Sequence, residues 1–519
     1  MLTHRQTPSA RLLRQVVVVC VLCLALYCLV RMPADSSRDT FPQTRHSSKK
    51  PRELPPELLN NRFLTEAQCA ASFPGLTKEI DDVVARGPFT LKRNPHGMGP
   101  LIARIRDGKL SILSYARKSD LSRDTLQHRG ATLHQIAAAL LTSPSPLPDT
   151  IIAFNHGDEP LAQTWSYSRP ADPSLNTDSD TSSGGQQHRY FPIPHFSFYS
   201  WPLPFIGSFA RARAAIAAFE DRMSWGQKIP KAVWRGTAHF NAARAGRVRQ
   251  NLLLATRIDT QIPLSDTPSQ SQPHPQPQPD QPQPGTRKQK PWADVEALTW
   301  TSQGHNASNA LAIEDFCAYR YVVHTEGISY SGRFQLHTLC ASVVLTPPIA
   351  WMQHVTHLVR PLFSYTLPAL SASDYPSHSG SDSGSDGDAW RKPAADSATL
   401  APYPAPWVRG AWPHSYAPSE ANIVFVAPDW SDLESTVAWL EAHPDVAEGI
   451  ARRQRALFEG GGYLSPAAEM CYWRALIRGW ASVARTGEDG EGEGEGQGWE
   501  DLEEGEVPWE EFSLTEMHK

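Results

Sequence analysis

The chain of 519 residues carries a formal net charge of −5 and 45 prolines, and 40% of its residues are hydrophobic. This length suffices for two or three domains with sizeable cores, whereas the proline content indicates unfolded segments between folded ones. The lack of an overall basic excess argues against a nucleic-acid binder, because such a protein must neutralise phosphates.

The first feature along the chain is an unbroken apolar run at residues 16–30, with arginines on both sides. At about 1.5 Å per residue, a helix of this length is short for a bilayer core of roughly 30 Å. A cleavable signal peptide and a signal anchor compete here, and the lack of small residues after the run favours the anchor. We therefore predict a cytosolic tail (1–14), a signal anchor (15–31) and a disordered stem (32–60), with the remainder lumenal.

Four cysteines follow the apolar run, namely Cys69, Cys317, Cys340 and Cys471. An even number suits an oxidising lumen, and the residues alone leave all three pairings open. The sequence Asn306-Ala307-Ser308 is the one glycosylation motif that we find.

Helical and strand-like patterns then alternate. They predict a helix at 80–84, a strand at 109–113, a helix at 133–141 and a buried strand at 150–154. Further on, Ser465 and Pro466 predict the start of a helix that runs through Trp480, and residues 431–434 fit a capping box. Strands that alternate with helices indicate an α/β architecture with parallel sheets.

Low-complexity segments interrupt this pattern. Three inserts, at residues 168–188, 262–290 and 370–415, are predicted to be surface loops because their composition cannot support a packed core. The Glu-Gly-rich tail after Arg485 is predicted to be solvated.

Asp158 follows the predicted strand at 150–154 in the sequence Asn-His-Gly-Asp-Glu-Pro. Open α/β sheets bind ligands beyond the carboxyl ends of their strands, so Asp158 or Glu159 is a candidate general base. An ordinary turn is the alternative interpretation.

Two further segments are candidates for binding a diphosphate through backbone N–H groups and guanidinium groups. In the first, a strand ends in Arg235, Gly236 and Thr237, and a basic segment follows with Arg244, Arg247 and Arg249. In the second, a strand at 321–324 is followed by Gly327, Ser331 and Arg333. The first segment has no Walker pattern, and a solvated basic helix is an equally good interpretation of it.

These segments occur in an order that resembles glycosyltransferase family 90, which includes capsule-associated proteins and the Rumi-like protein O-glucosyltransferases. The resemblance spans roughly residues 69–482 and rests on six motifs: Trp234-Arg235-Gly236-Thr237, Trp292-Ala293-Asp294-Val295, Tyr319-Arg320-Tyr321, Ser331-Gly332-Arg333, Asp429-Trp430-Ser431-Asp432-Leu433-Glu434 and Cys471-Tyr472-Trp473.

The resemblance implies a GT-B fold, in which two Rossmann-like domains face a cleft. The acceptor domain would span 61–228 and the nucleotide-sugar domain 229–464. A helix at 465–484 would return to the first domain, and an acidic disordered tail would follow at 485–519.

The activity that the resemblance implies is inverting transfer of glucose or xylose from a UDP-sugar to a hydroxyl of a glycan or protein, without a metal or other cofactor. Asp158 matches the family's base, although Gly157 and Glu159 depart from the usual Arg-Asp-Tyr-Pro-like turn. Arg249 and Arg333 match the donor-binding arginines, but the spacing from Gly236 leaves Arg244 and Arg247 as alternatives. The remaining donor-site candidates are Arg235, Gly236, Thr237, Gly327 and Ser331.

The resemblance also pairs Cys317 with Cys340 and Cys69 with Cys471. Because the chain has an apparent anchor and ends without a Lys-Asp-Glu-Leu-like signal, we expect a single-pass type II protein of the Golgi membrane, or else of the endoplasmic reticulum.

Two other functions remain open. A catalytically inactive lumenal binding protein would keep the fold, but retention of Asp158 with the two arginines counts against it. A zinc hydrolase is suggested by His354 and His357, which would share a helix face, yet a third ligand is not evident.

Overall fold

The computed structural model describes residues 53–91, 100–176, 188–240, 247–257, 290–302, 306–368, 404–486 and 505–517. Within these ranges no helix is long and apolar enough to cross a membrane. The predicted anchor, residues 32–52 of the predicted stem and nearly all of the insert at 262–290 lie outside the described residues. The end of the stem, at 53–60, is not disordered as predicted: it contains a helical turn at Pro56–Leu59 and buries Leu54 and Leu59 in the core.

The α-helices of the described residues are α1 (Pro56–Leu59), α2 (Glu66–Ser72), α3 (Lys78–Val84), α4 (Arg123–Leu141), α5 (Phe209–Glu220), α6 (Val248–Ala255), α7 (Phe334–His337), α8 (Pro406–Ala411), α9 (Leu433–Ala442), α10 (Pro444–Arg455), α11 (Pro466–Val483) and α12 (Trp509–Thr515). The strands are β1 (Phe89–Leu91), β2 (Leu101–Arg106), β3 (Lys109–Ser114), β4 (Thr150–Phe154), β5 (Thr164–Ser166), β6 (Arg169–Pro170), β7 (Tyr190–Pro192), β8 (Ile229–Gly236), β9 (Ala293–Ala297), β10 (Tyr319–Val323), β11 (Val343–Thr346), β12 (Trp351–Met352), β13 (Pro361–Phe363), β14 (Ile423–Phe425), β15 (Ala484–Thr486) and β16 (Val507–Pro508).

The first sheet has the order β16-β3-β2-β4-β5-β7 and is mixed. Its strands β4, β5 and β7 are parallel, whereas β2 runs antiparallel to both β3 and β4. Asp107 and Gly108 join β2 to β3 with φ angles of 51° and 71°, as a two-residue type I′ hairpin requires. The structure is therefore α/β, but the first sheet departs from the all-parallel arrangement of a Rossmann-like half.

The second sheet has the order β13-β14-β11-β10-β8-β9, and every pair in it is parallel. Side chains alternate between its faces, as the period of a strand dictates. Val233 and Val322 belong to a core shared with the first sheet, while Trp234 and Tyr321 pack on the opposite face in a second core. Because one face of the second sheet joins the core of the first sheet, the residues that follow the strands of the two sheets are held at fixed positions relative to one another.

Both disulfides agree with the pairing that the resemblance implied. The Cα atoms of Cys69 and Cys471 lie 5.7 Å apart, and those of Cys317 and Cys340 lie 5.1 Å apart. Cys471 lies on α11, whose start is capped by Ser465 as predicted, through a bond from the Ala468 N–H. Helix α11 packs against α2, α3 and α4, so the end of the family-like region returns to its beginning.

The predicted capping box at 431–434 is wrong. Helix α9 starts one residue later, with Asp432 at the N-cap, and the Asp432 carboxylate accepts a bond from the Ala427 N–H instead of capping the helix. Glu434 is paired with Lys290 at 2.7 Å, so it does not reach back to the N-cap.

Two segments predicted to be loops contain ordered structure. In the insert at 168–188, β6 pairs with β12. In the insert at 370–415, α8 is followed by Trp412, which is buried and donates to the Ile349 carbonyl. The local composition misled us here, because a few large apolar side chains suffice to anchor a polar segment.

Part of the tail predicted to be disordered is also folded. Strand β16 extends the first sheet at β3, and α12 buries Phe512 completely. The buried guanidinium of Arg129 donates to the backbone carbonyl of Glu516, at the end of α12. The segment 505–517 is therefore an integral layer on α4 and β3.

Candidate active site

A cavity of about 740 Å³ lies beyond the carboxyl ends of β4, β8 and β10. Its volume is within the range of small-molecule sites, and its place in the fold is where α/β sheets bind ligands. The cavity brings together most of the site residues proposed from the sequence: Asp158, Gly236, Thr237, Arg249, Gly327, Ser331 and Arg333.

Asp158 lies in a turn that the side chain of Asn155 organises. The Asn155 oxygen accepts a bond from the Gly157 N–H at 3.1 Å, and its amide nitrogen donates to the Glu159 carbonyl at 2.6 Å. The Asp158 side chain is exposed to the cavity, but the surrounding protein excludes enough water to raise its pKa, and the charge of Glu159 raises it further. A raised pKa makes Asp158 a stronger proton acceptor than an ordinary aspartate.

Besides Glu159, several neutral side chains lie near this carboxylate. Tyr330 is buried, and burial together with the charge of Asp158 raises its pKa far above the ordinary value. His156 and His128 line the same part of the cavity, and burial lowers their pKa to about 4 and about 3. At neutral pH, Tyr330, His156 and His128 are therefore neutral.

His195 forms part of the cavity wall and was not identified from the sequence. Its Nδ1 accepts a bond from the Ser197 N–H at 3.2 Å, so the ring proton is on Nε2. Gly332 lies against this ring, and a Cβ on Gly332 would come within 2.2 Å of the imidazole. The glycine in the Ser-Gly-Arg motif is therefore required for close packing.

Arg249 is fixed at the cavity by backbone carbonyls. Its Nε donates to Glu326 O and its NH1 to Thr237 O, both at 2.9 Å. Burial and then the charge of Arg333 lower the pKa of Arg249 to about 9, and burial lowers that of Arg333 to about 10. Within the described ranges, neither arginine has a carboxylate within ion-pair distance, so this wall holds two uncompensated positive charges.

The glycines of this wall contribute space rather than side chains. A Cβ on Gly236 would lie 2.4 Å from the Trp234 ring, and one on Gly327 would lie 2.8 Å from Tyr330 O. The N–H of Gly327 already donates to Tyr330 O at 2.9 Å, so it is engaged within its own loop and does not point at a ligand.

The other candidate arginines differ in position. The guanidinium of Arg235 pairs with Asp294 at 2.7 Å and does not line the cavity, although its backbone carbonyl accepts a bond from Arg333. Arg247 is the N-cap residue of α6 and is not part of the cavity wall. Arg244 lies outside the described residues, so Arg249 is the member of the basic segment that the structure places at the cavity.

Aromatic rings form a further part of the cavity wall, and one of them, Phe240, has its ring centroid 5.8 Å from the guanidinium carbon of Arg249. Trp201, Phe205, Phe240 and Trp300 contribute to it, and the Trp300 Nε1 donates to Thr237 Oγ1 at 3.1 Å. Sequence reasoning missed this wall, because the residues come from separate loops without a shared motif.

The two histidines of the zinc interpretation do not share a helix face. His354 precedes a short 3-10 helix at Thr356–Leu358 that contains His357, and His357 Nε2 lies 2.9 Å from Gly75 O. In the part of the chain that is described, one cluster brings together three side chains of the kinds that bind metals, namely Glu220, Cys317 and Cys340. Its two cysteines are joined in a disulfide, which leaves no thiolate pair to bind a metal.

Comparison with known families finds one match. The model of the family described as Glycosyl transferase family 90 matches residues 105–374. This range includes Asp158, Arg249 and Arg333 and the strands from β3 to β13. A search of the curated proteins finds no match to the chain.

Proposed function

The chain belongs to glycosyl transferase family 90, and on this basis we propose that it is an inverting enzyme that transfers glucose or xylose from a UDP-sugar to a hydroxyl of a glycan or protein. The observation that supports this most directly is the shared cavity, which holds a carboxylate of raised pKa and two arginines that have no carboxylate partner among the described residues. A nucleotide sugar needs both features, because its diphosphate is anionic and its acceptor must lose a proton.

Asp158 is the proposed general base. It takes the proton of the acceptor hydroxyl as the oxygen attacks the anomeric carbon, and the bond from that carbon to the UDP oxygen breaks on the opposite face. The configuration is inverted because one displacement occurs. The raised pKa of Asp158 favours this proton transfer.

Arg249 and Arg333 are the proposed stabilisers of the leaving group. Negative charge grows on the β-phosphate as the bond breaks, and the fixed positive charges of the two buried arginines stabilise it. Two guanidinium groups already held by backbone carbonyls need little rearrangement to do so. We propose on this ground that the transfer does not require a divalent metal.

We further propose that the reaction takes place in an oxidising compartment of the secretory pathway. Two disulfides lie in the folded region, one of which joins α2 to α11, and such bonds form and persist in oxidising compartments.

The test is release of UDP by the purified full-length protein from a panel of nucleotide sugars, with and without chelator. We expect faster release from UDP-glucose or UDP-xylose than from GDP-sugars, unchanged by the chelator. UDP binding without release from any donor would instead indicate an inactive binding protein. Loss of release with the chelator would contradict the metal-independent mechanism.

A further inference from the structure

The loop at residues 326–333, which follows β10, contributes several residues to the cavity, among them Gly327, Tyr330 and Arg333. Ser329 differs from these neighbours. It does not line the cavity, its side chain is completely buried, and its hydroxyl donates to the backbone carbonyl of Asp158 at 2.5 Å. The loop with a donor-site arginine is therefore bonded directly to the residue that we propose as the base.

This bond joins two different parts of the fold. Asp158 follows β4 of the first sheet, whereas Ser329 follows β10 of the second sheet. The turn at Asp158 has its own internal bonds from Asn155, but these involve Gly157 and Glu159 and leave the Asp158 carbonyl to Ser329. Tyr330, the next residue in the loop, packs against Tyr167, which follows β5 of the first sheet, and their ring centroids lie 5.9 Å apart.

We propose that Ser329 is a positioning residue, which sets the location of the Asp158 carboxylate and couples it to the loop that holds the donor. The proposal rests on the proposed function of Asp158 and Arg333. Fixing the carbonyl fixes the peptide plane that follows Asp158, and hence the point from which its side chain extends. A base displaced by about 1 Å can lose roughly 10²-fold in rate, because proton transfer requires hydrogen-bond distance to the acceptor hydroxyl.

The decisive variants are Ser329→Ala, Ser329→Thr and a matched control, Ser342→Ala. Ser342 is also completely buried, and its hydroxyl also donates to a backbone carbonyl, that of Tyr319 at 2.6 Å, but it does not line the cavity. The control therefore loses the same kind of buried hydrogen bond, from a hydroxyl to a backbone carbonyl, but at a place away from Asp158.

We expect Ser329→Ala to lower kcat by about 10- to 100-fold while the Kd for UDP changes less than about twofold. The acidic limb of its kcat profile should move to lower pH, because a loosened turn lets water reach Asp158. Ser329→Thr, which keeps the hydroxyl, should recover most of kcat, and Ser342→Ala should retain it. A kcat within about twofold of the wild type for Ser329→Ala would overturn the proposal, and so would an equal loss of kcat in the control.

A second measurement does not depend on catalysis. Amide hydrogen exchange of residues 155–160 should rise in Ser329→Ala and stay unchanged in Ser342→Ala. Unchanged exchange in both variants would overturn the positional role of Ser329. If the wild type releases no UDP from any donor while this exchange result holds, the proposed function fails and the structural coupling stands.

Discussion

The positive charge of Arg333 contributes, after the larger effect of burial, to lowering the pKa of Arg249 to about 9. Two like charges held together among buried groups repel each other. The protein therefore carries an unfavourable electrostatic interaction that a bound diphosphate would relieve, which is the arrangement expected of an anion site rather than of a structural ion pair.

The first prediction concerns this pair. Arg249→Ala and Arg333→Ala should each weaken UDP binding by about 10- to 150-fold, since a hydrogen bond to a charged group contributes roughly 1.5–3 kcal/mol. Isothermal titration calorimetry measures the change. Arg211→Ala is the matched control, because Arg211 pairs with Glu314 outside the cavity and its side chain is 45% exposed. Unchanged binding in both cavity variants would place the diphosphate elsewhere.

The second prediction concerns the base. Asp158→Asn should lower kcat by about 10²- to 10⁴-fold and leave UDP binding intact, because the amide cannot accept the acceptor's proton. The neighbouring variant Glu159→Gln is the comparison in steady-state assays and should retain most of kcat. If Glu159→Gln were the more damaging of the two, Glu159 would replace Asp158 as the candidate base.

The third prediction is the pH dependence of the rate. Activity should fall as the pH falls through the pKa of Asp158, since the protonated acid cannot accept a proton. Because burial and Glu159 raise this pKa, the loss should begin at a higher pH than for an ordinary aspartate. Glu159→Gln removes the neighbouring charge and should shift the acidic limb of the kcat profile to lower pH. A limb that does not move would contradict this electrostatic coupling.

The fourth prediction concerns stability and Glu469, a buried residue of α11. Burial raises its pKa to about 8, so the folded state keeps this proton at pH values where the unfolded state has lost it. The contribution of Glu469 to stability is therefore complete at low pH and is lost as the pH rises from about 4.5 toward 8. The free energy of unfolding, measured with urea at several pH values between 5 and 8, should fall with rising pH. We expect this fall to be less steep in Glu469→Gln than in the wild type, by up to about 1.4 kcal/mol per pH unit. The same dependence of the unfolding free energy on pH in the wild type and in Glu469→Gln would contradict this prediction.

The fifth prediction tests the folded tail. Phe512 is completely buried, whereas Leu514 on the same helix is 81% exposed. Phe512→Ala should lower the free energy of unfolding by about 3–5 kcal/mol, and Leu514→Ala should change it by less than about 0.5 kcal/mol. Chemical denaturation of both variants provides the comparison, and an equal effect would mean that α12 does not pack on the fold in solution.

The sequence predicted the parts of this protein that local patterns determine. The strand before Asp158, the glycine-ended strand at Gly236 and the helix capped by Ser465 all have local signals. Asp107-Gly108 is also a strong local signal, for a hairpin, and reading it would have predicted the antiparallel part of the first sheet.

Other features depend on contacts that no local pattern reveals. Arg235 and Arg249 both look like phosphate ligands in the sequence, but Asp294 on the neighbouring strand binds Arg235 and removes it from the cavity. The ring of His195 fits in the site beside Gly332, far along the chain, where a side chain would leave no room for it. The folded tail had one local sign, since Trp509 and Phe512 are spaced as neighbours on a helix face.

The disulfide between Cys69 and Cys471 joins residues 402 positions apart, while Cys317 and Cys340 are 23 apart. At a synthesis rate of about 5–20 residues per second, Cys471 emerges roughly 20–80 s after Cys69, whereas Cys340 follows Cys317 within about 1–5 s. The short-range pair can thus close first and remove the two thiols that would compete for Cys69. The order in which the cysteines are synthesised therefore favours the native pairing. The disulfide of Cys69 can form only after α11, which carries Cys471, has been synthesised.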